Sequence, residues 1–329
     1  MEEAPTSLAG LRSAYAAYAE QQTFAHAPAT LYDPIRYAMG GRGKAVRPLL
    51  LLQSHALGGT PPERALPAAY AVELFHNFTL LHDDIMDDAT VRRGRAAVHV
   101  AFDTPTAILA GDAMLIRTYG YLLDNYPEPV AAQLLSTFQP MATALCEGQQ
   151  RDMDMEAGYE ATYEDYLVMI HGKTGVLITA AIVMGAQIAG LDLDAIRQLR
   201  VAGDLAGRAF QIQDDLLDTF RTTEVTGKPS YGDVVRGKQS APYVRALELA
   251  DDSQADALRS YYAMGVRERE PHIETILALY GELAVEKSLA EEVGRFTSEA
   301  LAAVRSVDAD AEAREGLCGM VERLATRAK

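Results

Sequence analysis

The sequence predicts an all-α protein, and three of its features favour that fold class. Apolar residues recur every three or four positions over long stretches, including residues 69–86 and 205–217. Alternating runs of β-branched and aromatic residues are nearly missing, and the chain contains no Asn-Gly or Asp-Gly pair that would favour a hairpin turn. Clusters of glycine and proline divide the periodic pattern into segments of helical length. We therefore expect helices packed on helices.

The predicted helices follow one another between these breaks. Glycine and proline cluster at residues 40–43, 58–62, 126–129 and 226–229. Towards the C-terminus, alanine-rich segments at 299–305 and 311–328 carry mixed charges in an amphipathic pattern that is typical of surface helices. Because no Gly/Ser-rich or Pro-rich linker interrupts the chain, we expect a single large helical bundle over residues 1–329, with a two-lobed bundle as the alternative.

The composition sets limits on function. The chain has 329 residues, of which 49% are hydrophobic and 23% are charged, as in globular proteins that bury a sizeable core. Its 46 acidic residues outnumber its 30 Lys and Arg residues, and the formal net charge is −16. A surface of this sign repels phosphate backbones, so nonspecific binding of nucleic acid and docking on anionic membranes are disfavoured.

The cysteine content and the N-terminal sequence indicate the cellular location. Cys146 and Cys318 are the only cysteines and no CxxC pair is present, which excludes a disulfide framework and a structural zinc site. The N-terminus lacks the basic and then apolar pattern of a secretory signal. The longest uncharged run, residues 175–191, is short for a membrane span, so we expect a buried core helix there. These features predict a cytoplasmic protein without stable membrane insertion.

An acidic motif, Asp-Asp-x-x-Asp, begins at Asp83 and again at Asp214. On an α-helix, residues four apart lie on one face, so Asp83 projects beside Asp87 and Asp214 beside Asp218. Like charges at this spacing repel unless a cation lies between them. Paired carboxylate oxygens suit Mg²⁺, which bridges them to substrate phosphates. One copy could be a solvated acidic helix face, but two copies in apolar helical surroundings favour metal-bridged diphosphate binding.

Cations that can neutralise phosphate charge lie beside these motifs and in loops. A Lys-Thr-Gly segment at 173–175 opens the apolar run, where we expect an anion site at the N-terminus of a helix. Each cation alone is more typical of an ordinary surface residue, but their joint placement indicates one anionic ligand site. The residues concerned are Lys44, Arg47, Arg92, Arg93, Lys173, Lys228 and Lys238.

Six segments carry a resemblance to a known family. In chain order they are GKAVRP, ELFHNFTLLHDDIMDDATVRRG, GQQRD, KTG, FQIQDDLLD and GKPSYGDVVRGK, between about residues 40 and 238. Together they resemble the motifs of the trans-isoprenyl diphosphate synthases, the polyprenyl synthetase family, and in particular its short-chain geranylgeranyl diphosphate synthases. The resemblance implies the isoprenoid synthase type I fold, an all-α bundle around a central cavity, and a homodimer.

The resemblance also implies a Mg²⁺-dependent prenyltransferase that condenses isopentenyl diphosphate with an allylic diphosphate to give a short-chain all-trans prenyl diphosphate. It implies three Mg²⁺ ions per active site, held by Asp83, Asp84, Asp87, Asp214, Asp215 and Asp218. The allylic diphosphate is expected to contact Arg92, Lys173, Lys228 and Lys238, and isopentenyl diphosphate to contact Lys44, Arg47, His76 and Arg93. Catalytic positions are expected at Lys173, Thr174, Gln211 and Lys228, and positions near the metal cluster at Gln149 and Asp152.

Product length is expected to depend on the helix that carries Asp83, because the growing chain extends along it away from the metal ions. One helical turn rises about 5.4 Å, roughly the length of an extended five-carbon unit. Phe78 and Thr79 lie one turn before Asp83, and Phe75 lies two turns before it. A bulky residue at the fifth position before the motif with a small one at the fourth resembles geranylgeranyl (C20) synthases, and C15 and C25 products are the alternatives. Phe75 and Phe78 could also be plain core residues.

Other classes of protein fit the sequence less well. A class I terpene cyclase shares the first motif, but its second metal motif typically combines Asn or Asp, Ser or Thr, and Glu, whereas this chain repeats a full Asp-Asp-Leu-Leu-Asp. A non-catalytic subunit of a heteromeric synthase tends to lose an aspartate motif or the cations, and this chain retains both. One departure from the family pattern is Ala45, where a basic residue often follows Gly-Lys. Arg42, in the preceding glycine loop, is the candidate to compensate.

Overall fold

The computed structural model describes residues 7–41, 43–220 and 231–326. Helices make up most of these residues, which confirms the all-α prediction. In chain order the helices are α1 (Leu8–Glu20), α2 (Ala29–Met39), α3 (Val46–Ala56), α4 (Leu66–Met86), α5 (Val98–Ala101), α6 (Thr104–Asp124), α7 (Glu128–Glu156), α8 (Tyr163–Ile170), α9 (Val176–Ala189), α10 (Leu193–Phe220), α11 (Gly232–Arg236), α12 (Ala241–Leu249), α13 (Asp252–Tyr262), α14 (Val266–Arg269), α15 (Ile273–Glu282), α16 (Val285–Arg305) and α17 (Ala311–Thr326). Short 3₁₀ turns lie at Pro62–Arg64 and Glu270–His272.

A small β-hairpin is the only sheet in the described residues, and the sequence did not predict it. Its strands are β1 (Val91–Arg92) and β2 (Arg95–Ala96), which pair antiparallel. The two turn residues, Arg93 and Gly94, have φ values of 52° and 74°, the left-handed conformation that two-residue hairpin turns require. The hairpin follows the first aspartate motif directly and brings its arginines back to α4.

The helices form two compact units. The first unit comprises Met1–Gln139, Ala180–Arg197 and Val307–Leu317, and the second unit comprises Pro140–Thr179, Gln198–Ser306 and Cys318–Lys329. The single domain that was predicted for residues 1–329 stays a prediction.

The first unit packs α3 and α4 against neighbouring helices at close range. A Cβ atom added to Gly185 of α9 would lie 2.2 Å from the Leu51 carbonyl oxygen of α3, so only glycine permits this approach. At the same contact Ser54 donates a 2.7 Å hydrogen bond to the Ile182 carbonyl oxygen. Phe75 of α4 is 1% exposed. This packing fixes α4, whose last turn carries the first aspartate motif.

Buried tyrosines characterise the core of the second unit. Tyr243 stacks on Tyr262 with ring centroids 3.8 Å apart, and the Tyr262 and Tyr280 hydroxyl oxygens lie 2.6 Å apart. Tyr166 is 1% exposed and directs its hydroxyl group at α10. Because these hydroxyl groups are hydrogen-bonded, the rings can be buried without an unsatisfied polar atom. The core therefore presents a polar contact to the helix that carries the second aspartate motif.

One stretch of the described chain, Tyr163–Ala189, is long and apolar enough to cross a membrane by length and composition. An 18-residue window within it has a mean hydropathy of 1.8, and 78% of that window is buried inside the protein. Burial of this extent is typical of a core helix, which is what the sequence predicted for the uncharged run beginning at Gly175.

Candidate active site

The first aspartate motif lies at the C-terminal end of α4. Asp83 and Asp84 belong to its last turn, and the Asp87 N–H donates to the Asp83 carbonyl oxygen over 2.9 Å, so helical geometry extends to Asp87. As predicted, Asp83 and Asp87 therefore share one face of the helix. Asp83 is partly exposed and Asp87 is exposed. Their carboxylates form a donor pair of the kind that a hard cation binds.

Asp84 has different surroundings from the two flanking aspartates. It is 2% exposed, and Arg92 Nε donates a 2.8 Å hydrogen bond to Asp84 Oδ1. Arg92 Nη2 also contacts Asp84 and lies 3.7 Å from Asp83 Oδ2. Burial disfavours the charged guanidinium, but the hydrogen bond and the charge of Asp84 outweigh it and raise the pKa of Arg92. Arg92, which was expected to contact the allylic diphosphate, is held here by the motif itself.

A second polar group lies on and beside α4. We call it the first-unit cluster, and it consists of Arg47, Glu73, His76, Asn77 and Arg93. Arg47 Nη1 lies 3.1 Å from His76 Nε2. Asn77 Nδ2 donates to the Glu73 carbonyl oxygen over 2.8 Å and to Glu73 Oε1 over 3.3 Å, and Arg93 Nη1 donates to Asn77 Oδ1 over 3.4 Å. Asn77 thereby joins a buried carboxyl group to an arginine.

Burial sets the charge states in the first-unit cluster. It lowers the pKa of Arg47 to about 10. It also lowers the pKa of His76 well below the usual value, and the charges of Arg47 and Arg93 act in the same direction. Burial raises the pKa of Glu73, while the charges of Arg47 and Arg93 oppose that rise. At neutral pH, Arg47 is charged and His76 is neutral, so the guanidinium can donate to the imidazole nitrogen.

An open pocket adjoins the first-unit cluster, and Asn77 and Arg93 form part of its wall. The loop before α3 packs on the same arginine, because a Cβ atom at Gly43 would lie 3.1 Å from Arg93 Nη1. Lys44 of this loop is exposed. Three of the four residues that were predicted to bind isopentenyl diphosphate are therefore grouped in the cluster, and Lys44 lies in the loop that contacts it. Arg42 lies outside the described residues.

The second aspartate motif lies near the C-terminal end of α10. Asp214 and Asp218 are partly exposed, whereas Asp215 is 6% exposed. Asp215 accepts hydrogen bonds from the Tyr166 hydroxyl group at 2.7 Å, Gln211 Nε2 at 2.9 Å and the Ala241 N–H at 2.9 Å. Burial, with the charge of Asp233 adding to it, raises the pKa of Asp215 to about 7.

Asp218 is tied to the segment that follows. Its Oδ2 accepts a 2.8 Å hydrogen bond from the Asp233 N–H at the start of α11, and its carbonyl oxygen accepts one from the Tyr231 N–H at 3.2 Å. Burial and the charge of Asp218 raise the pKa of Asp233. The motif and α11 therefore hold each other in place.

Two lysines that were predicted to contact the allylic diphosphate converge on one carboxylate. Lys173 Nζ lies 2.5 Å and Lys238 Nζ 3.2 Å from Asp152 Oδ2. Asp152 is 4% exposed. Burial alone would raise the pKa of Asp152, but the charges of Lys238 and Lys173 hold it below its usual value. Burial likewise opposes the charge of Lys238, but Asp152 outweighs it and raises the pKa of Lys238. We call these three residues the lysine pair and its carboxylate.

The structure corrects the expectation of a helix N-terminus at Lys173. That residue lies in a π-helical turn, His171–Gly175, that joins α8 to α9 without a break. Glycines at this turn permit close packing on α7 instead, because a Cβ atom at Gly172 would lie 2.8 Å from the Gly148 Cα atom, and one at Gly148 would lie 2.2 Å from the Lys173 nitrogen. The anion site predicted from the dipole of a helix start is therefore wrong, and Lys173 offers only its side chain.

Thr174 and Gln211 are adjacent, as expected for residues near one reaction centre. Thr174 Oγ1 donates to Gln211 Oε1 over 2.9 Å, and Gln211 Nε2 donates to Asp215. Gln149 is partly exposed on α7. Lys228, which was predicted to contact the allylic diphosphate, lies outside the described residues.

The carboxylates of the two aspartate motifs are the candidate ligands of a metal ion. In residues 7–41, 43–220 and 231–326, no group of three or more His, Cys, Asp or Glu side chains is close enough to hold a metal ion with protein ligands alone. The donors nevertheless fit Mg²⁺, which keeps several waters and takes one or two carboxylates together with substrate phosphates. Asp83 and Asp87 are such a pair, and so are Asp214 and Asp218.

Aromatic rings from three helices of the first unit gather beneath the first motif. The Phe75 ring centroid lies 5.4 Å from that of Phe78 and 5.0 Å from that of Phe138. The Tyr119 ring lies 5.2 Å from Phe138. Thr79 donates its hydroxyl group to the His76 carbonyl oxygen over 2.8 Å. The sequence indicated Phe75, Phe78 and Thr79, but it held no local signal for the rings that α6 and α7 contribute.

Two solved structures and one curated relative resemble the chain over nearly its whole length. A short chain isoprenyl diphosphate synthase from Methanothermobacter thermautotrophicus is 37% identical over 86% of this chain and 87% of its own. A crystal structure of a geranylgeranyl pyrophosphate synthase superposes with a TM-score of 0.92 at 35% identity, covering 98% of this chain and 99% of the other. A geranylgeranyl pyrophosphate synthase from Corynebacterium glutamicum, complexed with isoprenyl diphosphate and magnesium, has a TM-score of 0.84 at 26% identity over 100% of both chains.

Two carboxylate-rich helix ends and grouped cations on an all-α scaffold define a class of proteins suited to metal-assisted diphosphate chemistry. The family model for polyprenyl synthetases matches residues 28–280. The chain therefore belongs to the polyprenyl synthetase family.

Proposed function

We propose that the protein condenses isopentenyl diphosphate with an allylic diphosphate to form geranylgeranyl diphosphate. Family membership supports a trans-prenyltransferase, and the relatives support a short-chain product. The observation that carries the proposal is the presence of two kinds of diphosphate-binding chemistry. The first-unit cluster offers arginines, whereas the two aspartate motifs offer carboxylate pairs for Mg²⁺.

The allylic diphosphate is assigned to the aspartate motifs. Asp83 and Asp87, and Asp214 and Asp218, present partly exposed oxygens that would hold Mg²⁺. Asp84 and Asp215 are buried and hydrogen-bonded, so we assign them to orienting the motifs. When bound, Mg²⁺ supplies positive charge that stabilises the departing diphosphate. Three Mg²⁺ ions per site remain the expectation from the family.

The lysine pair and its carboxylate act on the same diphosphate. Lys173 and Lys238 carry charges that can stabilise the leaving group as the allylic C–O bond breaks and its electron pair passes to oxygen. Thr174 and Gln211 are assigned to the surroundings of the reacting carbons. Lys228 keeps its predicted role beside them.

Isopentenyl diphosphate is assigned to the first-unit cluster. Arg47 and Arg93, with Lys44 from the neighbouring loop, supply the cations, and neutral His76 adds a hydrogen-bonding nitrogen. The double bond of isopentenyl diphosphate then attacks the allylic cation, a new carbon–carbon bond forms, and a proton leaves the adjacent carbon for the departed diphosphate. Apolar walls protect the cation from water.

Product length is assigned to the aromatic group below the first motif. Phe78, with Phe75 behind it and Phe138 behind both, would stop the growing chain after a limited number of five-carbon units. This arrangement supports a C20 product, and C15 and C25 are the alternatives. A homodimer and a cytoplasmic location remain predictions.

A condensation assay tests the proposal. The purified chain is incubated with isopentenyl diphosphate and a C5, C10 or C15 allylic diphosphate, with Mg²⁺ or with EDTA, and the products are identified by mass spectrometry. We expect a C20 diphosphate in the presence of Mg²⁺ only. A C15 or C25 product would correct the length assignment alone. No Mg²⁺-dependent condensation with any starter would refute the catalytic function and favour a non-catalytic subunit.

A further inference from the structure

Arg269, at the end of α14, is a buried arginine that bonds to backbone carbonyl groups. It is 3% exposed. Its Nε donates to the Tyr261 carbonyl oxygen over 3.0 Å, and its Nη2 donates to that of Tyr262 over 2.8 Å and contacts that of Met264. Its Nη1 donates to the Val235 carbonyl oxygen over 2.8 Å. No sequence motif indicated this residue.

Three of the four carbonyl groups that Arg269 contacts belong to the ends of two helices, and the fourth, that of Met264, follows the second helix. Tyr261 and Tyr262 form the last turn of α13, and Val235 lies in the last turn of α11. Carbonyl groups in a last turn lack a partner within their own helix, and a cation there also interacts favourably with the helix dipole. One guanidinium therefore caps α11 and α13 together.

The same guanidinium lies directly against the residue before Lys238. Gly237 has a φ of 74°, and a Cβ atom there would lie 2.5 Å from Arg269 Cζ. Next to it, the Lys238 N–H donates to the Asp233 carbonyl oxygen over 2.9 Å. The backbone that leads to Lys238 is thus held between its own helical turn and Arg269.

We propose that Arg269 is a positioning residue that sets the place of Lys238 against Asp152. It acts through the α11 backbone, whose Val235 and Gly237 it contacts, and not through any contact with substrate. The inference rests on the proposed function, in which Lys238 contacts the allylic diphosphate. Arg269 lies outside the aspartate motifs but controls the contact of Lys238 with the allylic diphosphate.

The α11 segment also carries the Asp233 N–H that binds Asp218 Oδ2. A shift of this segment would therefore move Lys238 and loosen Asp218 in the second motif. Misplacement of a catalytic group by about 1 Å can reduce a rate by about 100-fold. Loss of Arg269 should accordingly act on the allylic substrate and leave the first-unit cluster untouched.

Arg269→Met and Arg269→Lys test this role. We expect Arg269→Met to lower kcat/KM for the allylic diphosphate by at least about tenfold, with KM for isopentenyl diphosphate within about twofold of the wild type. Arg269→Lys retains the charge and part of the hydrogen bonding, so it should recover part of the loss. The matched control is Arg245→Met, because Arg245 is a half-buried arginine that stacks on Tyr163 and pairs with Glu292 away from α11.

Hydrogen exchange supplies a readout that does not depend on activity. Arg269→Met should speed exchange of the Val235, Gly237 and Lys238 amides, while Arg245→Met should not. The proposal is overturned if both variants change the allylic kcat/KM equally, or if Arg269→Met leaves exchange at these amides unchanged. If the wild-type chain shows no condensation, the proposed function fails, and the exchange result still decides whether Arg269 holds the Lys238 segment. If Arg269→Met does not fold, Arg269→Lys is judged by the same two criteria.

Discussion

The two groups of cations that are proposed to bind diphosphates are held in different ways. In the first-unit cluster, Arg47 lies on neutral His76 and Arg93 on the Asn77 amide, with hydrogen-bond distances of 3.1 and 3.4 Å. In the second unit, Lys173 and Lys238 are held by direct ion pairs to Asp152. The two arginines of the first-unit cluster are thus hydrogen-bonded to neutral side chains, with Glu73 behind Asn77, whereas the two lysines pair directly with a buried charge.

The difference matters for what each group can bind. An arginine held by a neutral partner keeps its full charge for a ligand, so the first-unit cluster can take a diphosphate without a metal ion. The lysine pair shares its charge with Asp152, and the nearby motif is itself acidic, so a diphosphate there needs added positive charge. The two aspartate motifs differ in the opposite sense, since Asp84 of the first unit is bound by a charged arginine and Asp215 of the second unit by neutral donors.

The largest effect is expected from Asp214→Asn. Loss of one motif carboxylate should lower kcat by about 100- to 1,000-fold, because the developing charge on the leaving diphosphate loses stabilisation. Affinity for isopentenyl diphosphate, measured by titration calorimetry, should stay unchanged. Asp194→Asn, at an exposed position in the first turn of α10, is the control and should retain wild-type turnover. An equal loss of kcat in Asp214→Asn and Asp194→Asn would show that the motif carboxylate has no special role in catalysis.

Asp152→Asn should have the next largest effect. Without the carboxylate, Lys173 and Lys238 repel each other and lose their common anchor, so KM for the allylic diphosphate should rise by about tenfold. KM for isopentenyl diphosphate should change by less than about twofold. Steady-state kinetics with each substrate varied in turn measures both values. Asp154→Asn, an exposed neighbour on α7, serves as the matched variant. An equal change in both KM values would contradict separate binding groups.

Asn77→Ala tests the role of the neutral hydrogen-bond partners in the first-unit cluster. It removes the link between Glu73 and Arg93, and a hydrogen bond of this kind contributes about 1 kcal/mol, so KM for isopentenyl diphosphate should rise about three- to tenfold. The allylic KM should not change. Asn125→Ala, at the exposed end of α6, is the control. A larger rise in the allylic KM would show that the first-unit cluster acts on the allylic diphosphate and not on isopentenyl diphosphate.

The buried charge of Asp152 should also give a pH-dependent stability. Its pKa is held below the usual value, so its ion pairs stabilise the folded state at pH values above the unfolded-state pKa and fade as pH falls through the lower folded-state value. Urea unfolding at pH 7 should show the wild type about 1.5–3 kcal/mol more stable than Asp152→Asn, with the difference in unfolding free energy shrinking steadily as the pH falls below the usual carboxyl pKa. A difference in unfolding free energy that does not shrink as the pH falls would show that charge is not its origin.

The smallest change in rate but a clear change in product is expected from Phe78→Ala. Removing this ring opens one helical turn below the first motif, so the main product should lengthen by about one five-carbon unit. Mass spectrometry of the products measures it, and Phe24→Ala, which removes a buried ring elsewhere in the first unit, is the control. An unchanged length would make Phe78 a plain core residue.

Local patterns predicted much of this structure. The helical period predicted α4 and α10, and the spacing within each motif placed Asp83 beside Asp87 because both features depend on residues within a few turns. Two-residue strands show no alternation, so the hairpin that brings Arg92 to Asp84 was missed. The Lys-Thr-Gly segment at 173–175 was interpreted as the start of a helix, whereas the helix continues through it and the preceding Gly172 permits close contact with α7.

Contacts between distant residues could not be predicted. Phe138 meets Phe75 across 63 positions of sequence, and Arg269 meets Val235 across 34. No sequence motif links the two members of either pair, because the contact depends on how helices pack and not on local spacing. Asn77 lies inside a predicted motif, but its role depends on Arg93, whose position is set by the unpredicted hairpin.

Binding without turnover tests the central claim most directly. Titration calorimetry is performed with isopentenyl diphosphate alone and with an allylic diphosphate alone, each with Mg²⁺ and with EDTA. Two separately built diphosphate sites predict that isopentenyl diphosphate binds with similar affinity in both conditions, whereas the allylic diphosphate binds only with Mg²⁺. Loss of isopentenyl diphosphate binding in EDTA, or metal-independent binding of the allylic diphosphate, would contradict the account.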